Sequence, residues 1–475
     1  MNLAKVLGDV DFPALGREEW RALAGIAFED ALVSRTDDGI RIEPIYERNA
    51  NSSFLQRRNP EAPWLVVQRI DDTDPERANG QALEDVAQGA NGLSLVFEGA
   101  PNAFGHGLPA ARETLDTVLS GVPLNRIHLR IDVHPASRAI ADGLVAYLTK
   151  MRADPARLSL CFGIDPAAIF AGTGRLSMTI EALQASMPQS LAHFFALGVP
   201  GVLLEADGRV FHNAGATAAQ ELGAMLASAA GHLRLFEDAR QALVYAAPHI
   251  GFAVSVDQDQ FLSMAKVRAL RKLWTKMLEL CSIPPAAAAI HAETSYRMMT
   301  ASDPETNILR STIACFAAAV GGADSISVLP HTIAHGLPEK FARRIARNAQ
   351  LVMAEESHIG FVTDPASGSG GIEALTDALC ESAWSEFRMI EKEGGILKSL
   401  AGGNLQRRIA AVRDERIRQY RDGKHDIVGT TVYRIENEKP VETLSAEKRP
   451  LPTNGAVFCE RLDARRTDEL IGERS

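Results

Sequence analysis

FAVSVD at 252–257, AAAIHAETS at 287–295 and DSISVLP at 324–330 are three β-prone runs separated by stretches of helical pattern, and together they set the rhythm of the chain. The same beat runs outward in both directions. Upstream lie GLSLVFEG at 92–99, RIHLRID at 126–132, RLSLCFG at 157–163 and GVLLEADGRVFHN at 201–213, and downstream GFVTD at 360–364. The intervening segments are periodic: in FARRIARNAQLVMAEE, Phe341, Ile345 and Val352 fall near one face while Arg343, Arg344 and Arg347 point elsewhere. Strands alternating with helices in this way predict a parallel sheet, and eight of them predict an α/β fold of the (β/α)8 TIM barrel type over residues 65–400. Barrel chemistry sits at the C-terminal ends of strands. On this reading those ends carry Glu98, His134, His212, Asp257, His291 and Asp364.

Two extensions flank the barrel. Residues 1–64 form an N-terminal arm with one amphipathic helix, FPALGREEWRALAGIAF, followed by a polar extended stretch suited to subunit contact. Residues 401–475 form a linker-like extension, in which the helix RRIAAVRDERIRQYRDGK and the strand-like DIVGTTVYRI precede a charged, Pro-containing end expected to be mobile.

Composition excludes several classes. The chain has 475 residues, 46% of them hydrophobic, and no window approaches a membrane span. Its N-terminus lacks the sustained apolar core of a secretory signal, so a cytoplasmic protein is expected. A net charge of -10 argues against nucleic acid as a partner. The five cysteines are scattered, with no close pair that would form a metal knuckle, so no metal is expected.

AKVRALRKLW at 265–274, TSYRMMT at 294–300, GGAD at 321–324, VLP at 328–330, FARRIARNAQL at 341–351, EESH at 355–358 and DPASGS at 364–369 occur in an order that resembles the barrel of the methylmalonyl-CoA mutase family, above all its small (β) subunit. The resemblance runs from about Trp64 to Arg434. It implies a place in propionate metabolism: the interconversion of (R)-methylmalonyl-CoA and succinyl-CoA, with adenosylcobalamin supplying the radical. Within that frame His212 matches the histidine that hydrogen-bonds the substrate thioester in catalytic chains, with Phe211 replacing a tyrosine, and is read either as that contact or as a satisfied pocket histidine. His291 stands under the same two readings and, with Glu293, takes the cofactor-facing positions of the family. Lys266, Arg268 and Arg271 either bind coenzyme A phosphates or form a solvated helix face.

Departures from the family pattern are as informative. Arg69 occupies the place of the tyrosine that steers the substrate radical, where it would instead contact an acyl group, and the carboxylate-clamping arginine has no counterpart at its place in GRLSMTIEALQ at 174–184. Glu293 stands where catalytic chains carry glutamine, and the acid that holds the cofactor's ribose falls at Ile333, which cannot accept a hydrogen bond. Asp132-Val133-His134 begins like the Asp-x-His-x-x-Gly cobalt-ligating motif but lacks its glycine and ends a barrel strand. Gly370 and Gly371 replace aromatic residues of the family, which predicts a locally looser face, and with Gly368 they form a turn read as structural and not phosphate-binding.

These departures lead to the expectation of a β subunit with no cobalamin-binding domain of its own. It would pair as a heterodimer with a catalytic α subunit that holds adenosylcobalamin and the acyl-CoA substrate, and would stabilise that partner without reacting itself. The alternatives are an active acyl-CoA mutase barrel using cobalamin held by a separate subunit, and a non-enzymatic scaffold that recruits a metallochaperone.

Overall fold

A computed structural model describes residues 16–25, 31–52, 54–55 and 62–472. Eight parallel strands close into a barrel: β1 (Leu65–Ile70), β2 (Gly92–Leu95), β3 (His128–Ile131), β4 (Ser159–Ile164), β5 (Val202–Asp207), β6 (Ile250–Val256), β7 (Ala289–Thr294) and β8 (Ser325–Ser327). The last pairs with the first, Ser325 opposite Leu65 and Ser327 opposite Val67. Among the described residues no helix is long and apolar enough to cross a membrane.

Seven of the eight expected strands are present, and one is replaced. GFVTD is not a strand: Ile359–Phe361 form a single 3-10 turn after His358, which has φ 54, and Phe361 is 78% exposed. The stave that closes the barrel is β1, LVVQRI, immediately after Trp64. GVLLEADGRVFHN also divides, into β5 and a short helix Arg209–Asn213, so His212 lies beyond the strand and not on it.

Each strand presents alternate residues to the helices and to the bore. The helix-facing set is apolar and buried, as at Leu93, Leu129, Phe162, Leu204, Val254 and Ile326. Barrel interiors are commonly filled by bulky branched side chains. Here the bore-facing set is small or polar instead, with Gly92, Ser94, Cys161, Ala253, Ser255 and Ser327, and the volume left over is taken by the fully buried arginines Arg130 and Arg209 and the nearly buried Arg69.

Both extensions fold back onto the barrel. In the arm, Ser34–Arg35 and Arg41–Ile42 form a two-stranded hairpin whose Asp37 receives the Arg416 Nε at 2.6 Å, while Asp38 accepts from the Ala219 backbone N–H. Of the expected amphipathic helix Arg17–Ala24 is described, and its remaining ends at 12–15 and 26–28 lie outside the described residues. Gly370 opens helix Gly370–Lys392, and a β-carbon there would stand 1.8 Å from the Glu47 carbonyl oxygen. The missing rings therefore give no looser face. They make room for the arm, whose Asn49 N–H bonds the Gly368 carbonyl.

The tail differs from its expected mobile form. Thr443–Leu444 pair with Leu337–Pro338, and Val457–Phe458 pair with Arg175–Leu176. Backbone bonds then run from Cys459 to Gly174, Leu462 to Ala171, Arg465 to Asn213 and Thr467 to Arg297, with Leu462 buried. All four acceptors belong to segments that follow the C-terminal ends of β4, β5 and β7. The tail therefore lies across the end of the barrel where chemistry would be sought.

Candidate functional site

The C-terminal mouth is built around Arg209, which follows β5 in a sharp strand-to-helix turn at Gly208. Its five N–H groups all find carboxylate oxygens: Nε on Asp207 at 3.0 Å, Nη1 on Asp132 at 3.0 Å and Glu293 at 3.1 Å, Nη2 on Asp132 at 2.7 Å and Asp207 at 2.6 Å. That is the full donor capacity of a guanidinium. Burial alone would raise the Asp132 pKa, but Arg209 and then Arg130 reverse that and hold its carboxyl well below the usual range. Asn102 adds Nδ2 bonds to Asp132 and Asp207, so the bore is cross-tied at this level. Isolated carboxylates in such a place would each cost several kcal/mol, and the shared cation offsets that cost.

Arg69, on β1, is committed to the same layer. Nε bonds Asp71 at 2.6 Å, Nη2 bonds the Asn102 carbonyl, and Nη1 stands 3.7 Å from Glu293. Its guanidinium lies 5.0 Å from the centroid of Phe104, which stacks on Tyr296 at 4.0 Å with ring planes 9° apart. Arg466, from the tail, sits over Tyr296 in turn. A column of four side chains thus rises from the bore to the covering tail, each cation resting on an aromatic face. Beside it His106 is buried with both ring nitrogens unpartnered, in the loop against which Lys448 of the tail packs.

His212 is fully engaged. Its Nε2 meets the Ser295 Oγ at 2.8 Å and its Nδ1 meets Glu221 Oε2 at 3.2 Å. Glu221 also receives Lys266 Nζ at 2.6 Å and the Ser255 backbone N–H. Burial, with Arg297 and Lys266 nearby, keeps the His212 pKa well below the ordinary histidine value, so the ring is neutral. His134 likewise has both nitrogens placed, one on the Glu98 carbonyl at 2.8 Å and one receiving the Ala136 N–H. Neither histidine presents a nitrogen to a metal, and no cluster of metal-ligating side chains exists among the described residues.

The remaining sequence candidates are dispersed. Lys266 joins Glu221 beneath His212, but Arg268 is buried between helices Gln260–Leu280 and Gly370–Lys392, bonding Asp364 and Glu373. Arg271 bonds the Gly322 and Ala288 carbonyls and Asp324. All three are buried, which removes the solvated helix face. His291 lies low in the bore, its Nδ1 against Ser325 Oγ at 2.9 Å, two residues below Glu293 and facing the opposite mouth. Asp364 is no strand end but half of an ion pair.

Adenosylcobalamin, the group implied by the resemblance, does not fit the mouth as these residues build it. The guanidinium of Arg209 has no donor left, the Phe104–Tyr296 stack and the tail cover the approach, and the buried Ile333 side chain has no polar atom to offer. Arg209, Arg130, Glu205 and Asn102 are the buried polar side chains of the bore that the sequence reading missed. The alternation His128, Arg130, Asp132 within RIHLRID was the available signal, since it sets three polar residues on one face of a core strand.

The family profile described as methylmalonyl-CoA mutase matches residues 46–471. The methylmalonyl-CoA mutase small subunit of Streptomyces virginiae is 36% identical over 468 residues, covering 93% of this chain and 74% of that protein. The small subunit of Propionibacterium freudenreichii subsp. shermanii is 33% identical over 434 residues, covering 87% of this chain and 65% of that protein. The methylmalonyl-CoA mutase of Rhizobium meliloti is 25% identical over 498 residues, covering 96% and 69%.

Proposed function

We propose, from the premise that this chain belongs to the methylmalonyl-CoA mutase family, that it is the small (β) subunit of an adenosylcobalamin-dependent mutase and is non-catalytic itself, stabilising a catalytic α subunit. The observation that carries this reading is the filled C-terminal mouth. A radical rearrangement needs a dry cavity open to both cofactor and thioester. In this chain that volume holds Arg209 with its three carboxylates, roofed by the Phe104–Tyr296 stack and the tail. The small-subunit names of the Streptomyces and Propionibacterium relatives support a partner. The acyl-CoA substrate and the cofactor would both be held by that partner, and the pair would work on (R)-methylmalonyl-CoA and succinyl-CoA.

A duplicated homodimer can keep its self-complementary surface while one copy loses its chemistry, which gives the arrangement a physical origin. The test is reconstitution with a partner chain that carries the steering tyrosine and the complete Asp-x-His-x-x-Gly motif. Expected are no turnover by this chain with adenosylcobalamin alone, no change in the corrinoid absorption spectrum on mixing the two, and a longer active half-life of the partner when this chain is present. Turnover by the isolated chain, or a partner equally stable and active without it, would overturn the proposal.

A further inference from the structure

The opposite, N-terminal end of the barrel holds a cavity of about 570 Å³ whose floor is formed by Arg130, Glu205, Cys161 and His291 and whose rim includes His128 and Ser159. The floor is buried, with Arg130 1% and Glu205 2% exposed, yet its polar atoms are not all used. Arg130 bonds Glu205 Oε1 through Nη1, with the Cys161 sulfur also near that nitrogen. Its Nε and Nη2, which form the other edge of the guanidinium, have no partner. Glu205 Oε2 and His291 Nε2 are unpartnered as well. Buried polar atoms without partners are uncommon, because each has lost its water without gaining a replacement. Four of them belonging to three residues that line one cavity is a pattern that a ligand or water would satisfy.

The unmatched atoms describe what fits. Two parallel N–H groups on one guanidinium edge suit a pair of oxygens on a carboxylate or phosphate. Glu205 Oε2 accepts only, so the ligand must also bring an O–H donor, which at the same time keeps its negative end away from the carboxylate. The other lining acid, Asp324, is occupied by Arg271 and by the Ile290 backbone N–H and does not compete. The bore is closed above by Asn102 tying Asp132 to Asp207, so the pocket is blind and its ligand short.

We propose that this N-terminal pocket binds a small hydroxyl-bearing oxyanion, held by the Nε–Nη2 edge of Arg130 and by Glu205 Oε2, with His291 as a third contact. The chemistry is shared by a phosphate monoanion and a short 2-hydroxycarboxylate, and the experiment separates them. Inorganic phosphate, lactate and propionate are titrated calorimetrically into the full chain. Phosphate or lactate is expected to bind saturably, and propionate, which lacks the hydroxyl, at least tenfold more weakly than lactate. Arg130→Lys keeps the charge but loses the paired edge and is expected to weaken binding at least tenfold. Ser159→Trp, at an exposed rim position, is expected to abolish binding while leaving the far-UV circular dichroism and melting temperature unchanged, and it carries the test if Arg130→Lys fails to fold. Absence of saturable binding by both phosphate and lactate, or binding that survives Ser159→Trp, overturns the proposal. So would a crystal grown with both probes in which water alone meets Arg130 Nε and Nη2.

Discussion

At the C-terminal end of the barrel Arg209 places all five N–H groups on three carboxylates, while deeper in the same bore Arg130 engages Glu205 through a single nitrogen. Both are buried arginines in an interior of glycine, serine and alanine, Arg130 on the inward face of β3 and Arg209 in the turn that follows β5. The difference lies in what stands around them. Around Arg209 the loop after β2 contributes Asn102 and the end of β5 contributes Asp207, and the tail bonds over them at Asn213 and Arg297. Around Arg130 the strand starts contribute Ser159, Gly251 and Ala289, too small to reach the guanidinium, while the larger neighbours Cys161 and His291 leave its Nε and Nη2 without a partner. A buried charge that is fully paired is a structural element, and one that is half paired is an invitation to a ligand.

The largest effect should come from breaking the closed end. Arg209→Met leaves Asp132, Asp207 and Glu293 facing one another without a cation and is expected to cost about 3–5 kcal/mol, or to prevent folding. Arg130→Met should cost clearly less, because Glu205, whose pKa burial already raises, can take up a proton once its partner is gone. Urea denaturation midpoints of the two variants measure the contrast directly. Equal losses would mean that the two ends are not built differently.

The roof comes next. Leu462 is the buried anchor of the tail and bonds Ala171 through its backbone, so Leu462→Ala should cost about 2 kcal/mol, at the lower limit for a buried leucine. Because the tail covers one mouth only, amide exchange should quicken in the loops at 213–217 and 295–301 and stay unchanged at the strand starts around Ser159 and Ala289. Uniform quickening would show that the tail stabilises the whole barrel and is no roof.

What could be read from the chain, and what could not, follows the same division. Local alternation revealed seven staves because each is a short, apolar-and-polar run bounded by helix. β1 went unread as a strand, since Gln68 turns outward to Asp85 and Arg69 inward to Asp71, so both of its faces carry polar residues. GFVTD imitated a strand by composition alone, with its Phe361 in solvent. Lys266, Arg268 and Arg271 carried no sign of their burial, because Glu221, Asp364, Glu373 and Asp324 reach them only through the fold. The tail looked mobile for its charge and proline, whereas its attachment is backbone pairing to Arg175–Leu176, which side-chain chemistry does not announce.

The smallest effect separates the two ends by pH. His212 at the closed end and His291 at the open end are both held well below the ordinary histidine pKa of 6.5, chiefly by burial, the first with help from Arg297 and Lys266 and the second from Arg130 and Arg209. Their folded forms bind no proton where the unfolded chain does. Each therefore contributes stability that is present above about pH 6.5 and is lost as pH falls below it, at up to about 1.4 kcal/mol per pH unit per histidine. Asp165 works against them, because burial pushes its pKa up to about 7 and stability falls as pH rises from near 4 towards that value. To the net slope between pH 5 and 6.5, His232, lowered to about 4, and His106, His134 and His331, also lowered by burial, add on the histidine side, while the buried carboxyls of Glu205, Glu221 and Glu293, raised by burial, add on the side of Asp165. His212→Gln and His291→Gln should each flatten that slope by one proton in urea titrations. A ligand on Arg130 should alter the slope through Glu205 and His291, the titratable groups it touches, so phosphate that shifted the pH dependence of the His291→Gln variant as strongly as that of the native chain would remove His291 from its contacts.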